Sequence, residues 1–72
     1  KGMVKTLEFS PDGAYLASGG SDSLIQIQEA STGQIQHTLK GHRNTIYDLA
    51  WSVAGDQLAS AAFDRTARVW NL

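Results

Sequence analysis

His42, Ser60 and Asp64 fall in the second half of this 72-residue chain, with Trp70 close behind. A histidine, a serine and an aspartate are the residue types of a hydrolytic triad. In that chemistry an imidazole takes the serine proton while the carboxylate orients the imidazole. The same types also build a buried polar truss that does no chemistry, because a buried imidazole and an indole N–H each need a partner. Triad chemistry further requires an exposed nucleophile, an oxyanion hole and a cleft. Ser60 instead sits inside the apolar run Leu58-Ala59-Ser60-Ala61-Ala62, with no Gly-x-Ser-x-Gly elbow to present it. The expectation is a structural role and no catalytic residue.

Other chemistries find less support. There is no cysteine, so a disulfide and a thiolate zinc site are both excluded. His37 and His42 alone do not make a metal cage, and neither a metal nor a cofactor is expected. The stretch Ser18-Gly19-Gly20-Ser21-Asp22-Ser23 has the glycines of a phosphate loop but lacks the Gly-Lys-Ser/Thr ending and the following helix. It reads as a turn. Arg65, Arg68 and Trp70 could stack and hold nucleic acid, yet the formal net charge is −1 and no block of like charge occurs. A solvated strand edge is the expected reading. No apolar run approaches the length of a membrane-spanning helix, and no signal-peptide core stands at the start. A soluble segment follows, without a membrane or small-molecule partner.

The elements that carry these residues repeat. Residues 4–30 superpose on 46–72 at an offset of 42 without a gap, pairing Leu7 with Leu49, Ser10 with Ser52, Gly13 with Gly55, Leu16 with Leu58, Ser18 with Ser60 and Asp22 with Asp64. Each copy reads as short strands. Leu7 and Phe9, like Leu49 and Trp51, alternate with other residues at the period of a half-buried strand. Val4 and Ile46 stand three residues before the leucines, so a one-residue bulge in each first strand is needed to restore their facing. Ser10-Pro11-Asp12-Gly13 is a turn, since proline fixes φ and glycine tolerates φ > 0; 54–56 is its counterpart. Second strands follow in 15–20 and 57–62, tight turns at 21–23 and 63–65, third strands near 24–28 and 66–70, and a fourth over 34–39. His37 lies on that fourth strand as a rim histidine. No segment has helical periodicity. The chain is all-β, in the order a, b, c, d, a, b, c, and a repeat of this length selects a propeller of four-stranded blades.

At this point the sequence resembles the WD-repeat family. Gly41-His42, Asp64 in the turn between strands b and c, and Trp70-Asn71 closing strand c match the family's marks. Two departures stand out: Gln28-Glu29 replaces Trp-Asp in the first copy, and Asn71 replaces the second aspartate. The resemblance implies β-propeller blades of four-stranded antiparallel sheets, here about one complete blade plus strands a–c of the next. All 72 residues would belong to one propeller, with repeat 1 at about 4–30 plus strand d at 34–39, and repeat 2 at about 41–72. Two incomplete blades cannot close a ring, so the remaining blades are expected from the rest of a longer chain or from other copies.

The resemblance also implies that His42, Ser60, Asp64 and Trp70 form a hydrogen-bonded tetrad, and that Ser18 and Asp22 are what is left of an incomplete one. Function then falls to exposed loops. The d–a and b–c loops of the family share the face most used for partners. The matching positions are Arg43, Asn44, Thr45, Tyr47, Phe63 and Arg65, and in the first copy Met3, Lys5, Ser21 and Ser23. Tyr47 and Phe63 are singled out, because aromatic residues dominate binding hot spots. The expected function is a non-catalytic scaffold for other proteins in a multiprotein complex. The alternative is a targeting or substrate-recognition propeller attached to an enzyme or ubiquitin-ligase adaptor, and a nucleic-acid or chromatin reader ranks lower. A cytoplasmic or nuclear location follows from the family.

Overall fold

The computed structural model describes residues 3–72 and contains seven strands. β1 (Val4–Phe9), β2 (Tyr15–Gly20), β3 (Ile25–Glu29) and β4 (Ile35–Leu39) form a four-stranded antiparallel sheet in sequential order. β5 (Ile46–Trp51), β6 (Gln57–Ala62) and β7 (Ala67–Asn71) form a three-stranded one. These are propeller blades, the second represented by its first three strands.

The turns explain why consecutive strands pair. Gly13 and Gly55 adopt φ of 74° and 79°, the left-handed region that a side chain disfavours. In the β1–β2 turn the Ser10 hydroxyl donates to Asp12 (2.7 Å) and accepts from the Tyr15 N–H (3.0 Å). In the β5–β6 turn the Ser52 hydroxyl donates to Asp56 (3.0 Å) and accepts from the Gln57 N–H (3.1 Å). The two repeats reach the same turn with the carboxylate at different positions. A third device recurs in the opening strands. The β1–β2 register shifts between Val4 and Thr6, and the β5–β6 register between Ile46 and Asp48. The bulged residues are Lys5 and Tyr47, so each repeat turns one extra side chain out of the ladder.

The core lies between the two sheets. Ala17, Ile25 and Ile27 of the first blade meet Ile46, Leu49, Leu58 and Ala62 of the second, with Leu39, Trp51 and Trp70 packed around them. Burying an isoleucine or leucine fully is worth about 1.5–3 kcal/mol each. The fit is close: a Cβ on Gly19 would stand 2.8 Å from Cγ2 of Ile46, so the glycine leaves the slot that Ile46 fills. Among the described residues, one hydrogen bond crosses the junction, from Trp51 Nε1 to the Glu8 carbonyl at 3.0 Å.

The two repeats differ in burial despite their shared pattern. Leu7 and Phe9 are 56% and 62% exposed, whereas Leu49 is 2% exposed and Trp51 is half-buried. Val69 is likewise open while its counterpart Ile27 is buried. Leu7 and Phe9 lie on the face of the first blade that points away from the second, and Val69 lies on the outer face of the second. Sequence alternation marks which side of a strand is apolar; burial requires a neighbouring sheet.

Candidate functional site

The 40–45 loop, between β4 and β5, brings His42 against β6 and the 63–66 turn. Its side chain is fully buried. Nδ1 lies 3.1 Å from Asp64 Oδ2 and Nε2 lies 2.6 Å from Ser60 Oγ. Trp70 Nε1 donates to the same Ser60 oxygen at 2.9 Å. The carboxylate only accepts, so the hydrogen-bond pattern assigns a proton to Nδ1 and lets Nε2 accept from the Ser60 hydroxyl. A continuous chain of donors runs from Trp70 through Ser60 to His42 and on to Asp64. The indole and imidazole rings also meet edge-on, with centroids 6.2 Å apart. Gly41 permits this approach, because a Cβ there would stand 3.0 Å from the Trp70 ring.

Two members of the network lie outside the four residues to which the sequence points. The Thr66 hydroxyl donates to Asp64 Oδ1 and lies 3.2 Å from His42 Nδ1. The Arg43 N–H donates to Asp64 Oδ2 at 2.8 Å. Thr66 stands two residues after the turn aspartate, the spacing of an Asx turn, and its N–H donates to Asp64 as well (2.9 Å). That spacing is the sequence signal for Thr66. The Thr66 hydroxyl is the largest influence holding the Asp64 carboxyl well below the ordinary carboxylate range, with the Arg43 N–H next; His42 and the Thr66 N–H add to it, and burial opposes it.

The order Asp64, His42, Ser60 has the connectivity of a hydrolytic triad, but its surroundings do not suit one. Ser60 is 3% exposed and its oxygen already accepts the indole N–H, so no carbonyl carbon can approach it. Every side chain in the network is satisfied, and no buried polar side-chain atom among the described residues lacks a partner. The first repeat has no such network among the described residues. Asp22 accepts from the Leu24 N–H in its own turn (3.1 Å), Ser18 is half-buried, and Gln28 turns to the Gly33 carbonyl (3.0 Å).

Beside the network lies an exposed aromatic pair. Tyr47 and Phe63 stack with centroids 4.8 Å apart and planes 26° from parallel, and remain 48% and 63% exposed. The β5 bulge turns Tyr47 outward, and the Phe63 N–H donates to the Thr45 carbonyl (2.9 Å), zipping the two loops together. Asn44 caps the Thr45 N–H through its side chain (2.7 Å). Arg43 and Arg65 stand exposed near Asp64, and Arg65 adopts a φ of 70° in the tight turn. In the first repeat the corresponding end is closed by backbone and hydroxyl bonds: the Met3 N–H donates to Ser21 Oγ (2.8 Å) and the Ser21 N–H to the Met3 carbonyl (3.0 Å). Met3 and Lys5 are exposed there, while Ser23 is half-buried with a φ of 68°. His37 lies exposed on β4, away from this end. No group of three or more metal-ligating side chains occurs among the described residues.

The family model for the WD domain, G-beta repeat, matches residues 1–27 and 33–71. The chain belongs to the WD40-repeat family. It is 40% identical to WD repeat-containing protein 1 of Xenopus tropicalis, over 97% of this chain and 12% of that protein. It is 36% identical to the chromatin assembly factor 1 subunit FAS2 homolog of Oryza sativa subsp. japonica, over 93% of this chain and 13% of that protein. Among solved WD40 structures, the Cps50 (Swd1) β-propeller domain of Myceliophteria thermophila superposes with a TM-score of 0.94 at 32% identity, over all of this chain and 22% of that one. The RRP9 WD40 repeats superpose with a TM-score of 0.87 at 42% identity, over 92% of this chain and 20% of that one. The chain therefore spans between about a tenth and a fifth of the WD40 proteins it matches.

Proposed function

We propose that this chain is part of a non-catalytic WD40 propeller that holds protein partners in a multiprotein complex. The contact surface is the loop end carrying Tyr47 and Phe63, with Arg43, Asn44, Thr45 and Arg65 around them and Lys5 and Ser21 on the neighbouring repeat. The observation that carries this reading is the stacked aromatic pair, exposed to solvent and outside the core between the sheets. Large rings held in one orientation lose little entropy on binding, and such groups dominate hot spots. His42, Ser60, Asp64 and Trp70 serve as the truss that fixes the two loops under the rings.

All 72 residues belong to one propeller on this reading, with the repeats at about 4–30, 34–39 and 41–72. The name of the chromatin assembly factor 1 relative supports a nuclear complex as the setting. The test compares wild-type, Tyr47→Ala and Phe63→Ala full-length protein by affinity purification with quantitative mass spectrometry, alongside thermal melting. Each variant is expected to keep its melting midpoint and lose shared partners, with binding weakened by about 2 kcal/mol for a central aromatic. Unchanged partners in a folded variant would refute the assignment.

A further inference from the structure

The charges of the two repeats are sorted by end. Among the described residues every lysine and arginine (Lys5, Lys40, Arg43, Arg65 and Arg68) lies in the loops at the Tyr47–Phe63 end or in the strand stretches beside them. The opposite end, built from the 10–14, 30–34 and 52–56 turns and the adjoining strand ends, carries Glu8, Asp12, Glu29 and Asp56 and no cation among the described residues. Asp22, Asp48 and Asp64 do lie toward the first end. Asp64 is taken up by Thr66, the Arg43 N–H and His42, and Asp22 by the Leu24 N–H of its own turn. Among the described residues no carboxylate lies within salt-bridge distance of a lysine or arginine, so the guanidinium groups of Arg43 and Arg65 are exposed and unpaired.

The backbones from which these two arginines project are held in place. The Arg43 N–H bonds to Asp64, and the Arg65 N–H donates to the Ala62 carbonyl (3.3 Å) in the turn that also carries Phe63. Three carboxylates (Asp22, Asp48 and Asp64) against five cations leave this end positive, and an exposed apolar stack on the same two loops as two unpaired guanidiniums is complemented by an apolar side chain with carboxylates near it. We infer that the partner segment docking here is an acidic stretch of polypeptide, its carboxylates meeting Arg43 and Arg65 around an apolar anchor laid on Tyr47 and Phe63. This rests on the interaction reading above and specifies its partner. A nucleic acid fits less well. The two rings stack on each other instead of standing apart to receive bases.

The test pans a random dodecapeptide phage library on the immobilised full-length protein, then measures the enriched peptides in solution against wild type and variants. The expected result is enrichment of sequences with aspartate or glutamate on both sides of an apolar residue. Their binding should fall roughly tenfold in Arg43→Gln and in Arg65→Gln, with the melting midpoint unchanged, and should weaken as salt rises. Peptides that lose binding in Tyr47→Ala but not in either arginine variant would overturn the acidic partner while keeping the interaction surface. Peptides indifferent to all of these variants, or a library returning none sensitive to them, would overturn both. Arginine-dependent binding of a polyuridine oligonucleotide, with no acidic peptide enriched, would overturn the inference in favour of nucleic acid.

Discussion

Ser60→Ala removes a single oxygen that serves two buried rings. The hydroxyl donates to His42 Nε2 at 2.6 Å and accepts from Trp70 Nε1 at 2.9 Å. The His42 side chain is fully buried, so its nitrogen finds no water and carries the cost of an unsatisfied buried group, about 1–3 kcal/mol. Trp70 is half-buried and falls near the lower end of the same range, about 1 kcal/mol. The volume lost is one atom, so no large cavity adds to this. The expected loss for the full-length protein is about 2–4 kcal/mol, read from denaturant unfolding. Trp70→Phe separates this explanation from a general packing defect, because it removes the indole N–H while keeping an aromatic ring. In that background Ser60→Ala should cost about 1 kcal/mol less, as interacting neighbours are not additive. A loss under about 0.5 kcal/mol, or strictly additive single variants, would refute the idea that the hydroxyl links the two rings. Peptide binding at Tyr47 and Phe63 should change only as far as the folded fraction changes.

Acid should act through Asp64. The folded chain binds the Asp64 proton less readily than the unfolded chain, whose value is near 3.8, so the carboxylate stabilises fully above that value and progressively less as pH falls through it toward the depressed folded value. Urea midpoints of wild type and Asp64→Asn should therefore converge on acidification, and a gap that widens instead would contradict the assignment. Gln28→Trp supplies the missing ring in the first repeat, where an indole can donate to Ser18 in place of the present Gln28–Gly33 bond; a rise in thermal midpoint equivalent to about 1 kcal/mol is expected, and no rise would show that the first repeat gains nothing from the ring. Gly20→Ala should be the harshest small substitution, since a Cβ there would stand 1.9 Å from the Met3 carbonyl oxygen; a loss of about 3 kcal/mol or more is expected, and normal stability would contradict the described backbone approach.

The strands and turns are legible in the sequence because their signals are local. Pro11, Gly13 and Gly55 punctuate the chain, and the three-residue gap from Val4 to Leu7 and from Ile46 to Leu49 calls for the bulges that the registers contain. Burial is not legible in the same way: Leu7 and Leu49 are the same residue in the same pattern, yet one is open and the other buried, because packing depends on which face meets a second sheet. At the site, residue types alone suggest either chemistry or a truss; the family resemblance points to the tetrad, and the three-dimensional register gives the contact of Trp70 Nε1 with Ser60 that occupies the oxygen a nucleophile would need. Thr66 is inconspicuous because a threonine after a turn aspartate is a common turn residue; its second role, beside His42, depends on a loop far away in sequence. The sorting of charge by end is likewise hidden, since the reversal of successive strands scatters each end's residues along the chain.

The Trp51 hydrogen bond to the Glu8 carbonyl has a consequence for how the molecule comes apart. It joins a side chain of one blade to the backbone of the blade before it, across the same seam in which Ile46 fills the space over Gly19. Neither sheet encloses an apolar core of its own; the buried apolar side chains belong to the seam. In a nearest-neighbour description most of the free energy is then coupling energy, and little is intrinsic to a single blade. Opening one seam exposes two apolar faces at once, so amide exchange in β2 and β5 should report the same cooperative event although the two strands belong to different sheets.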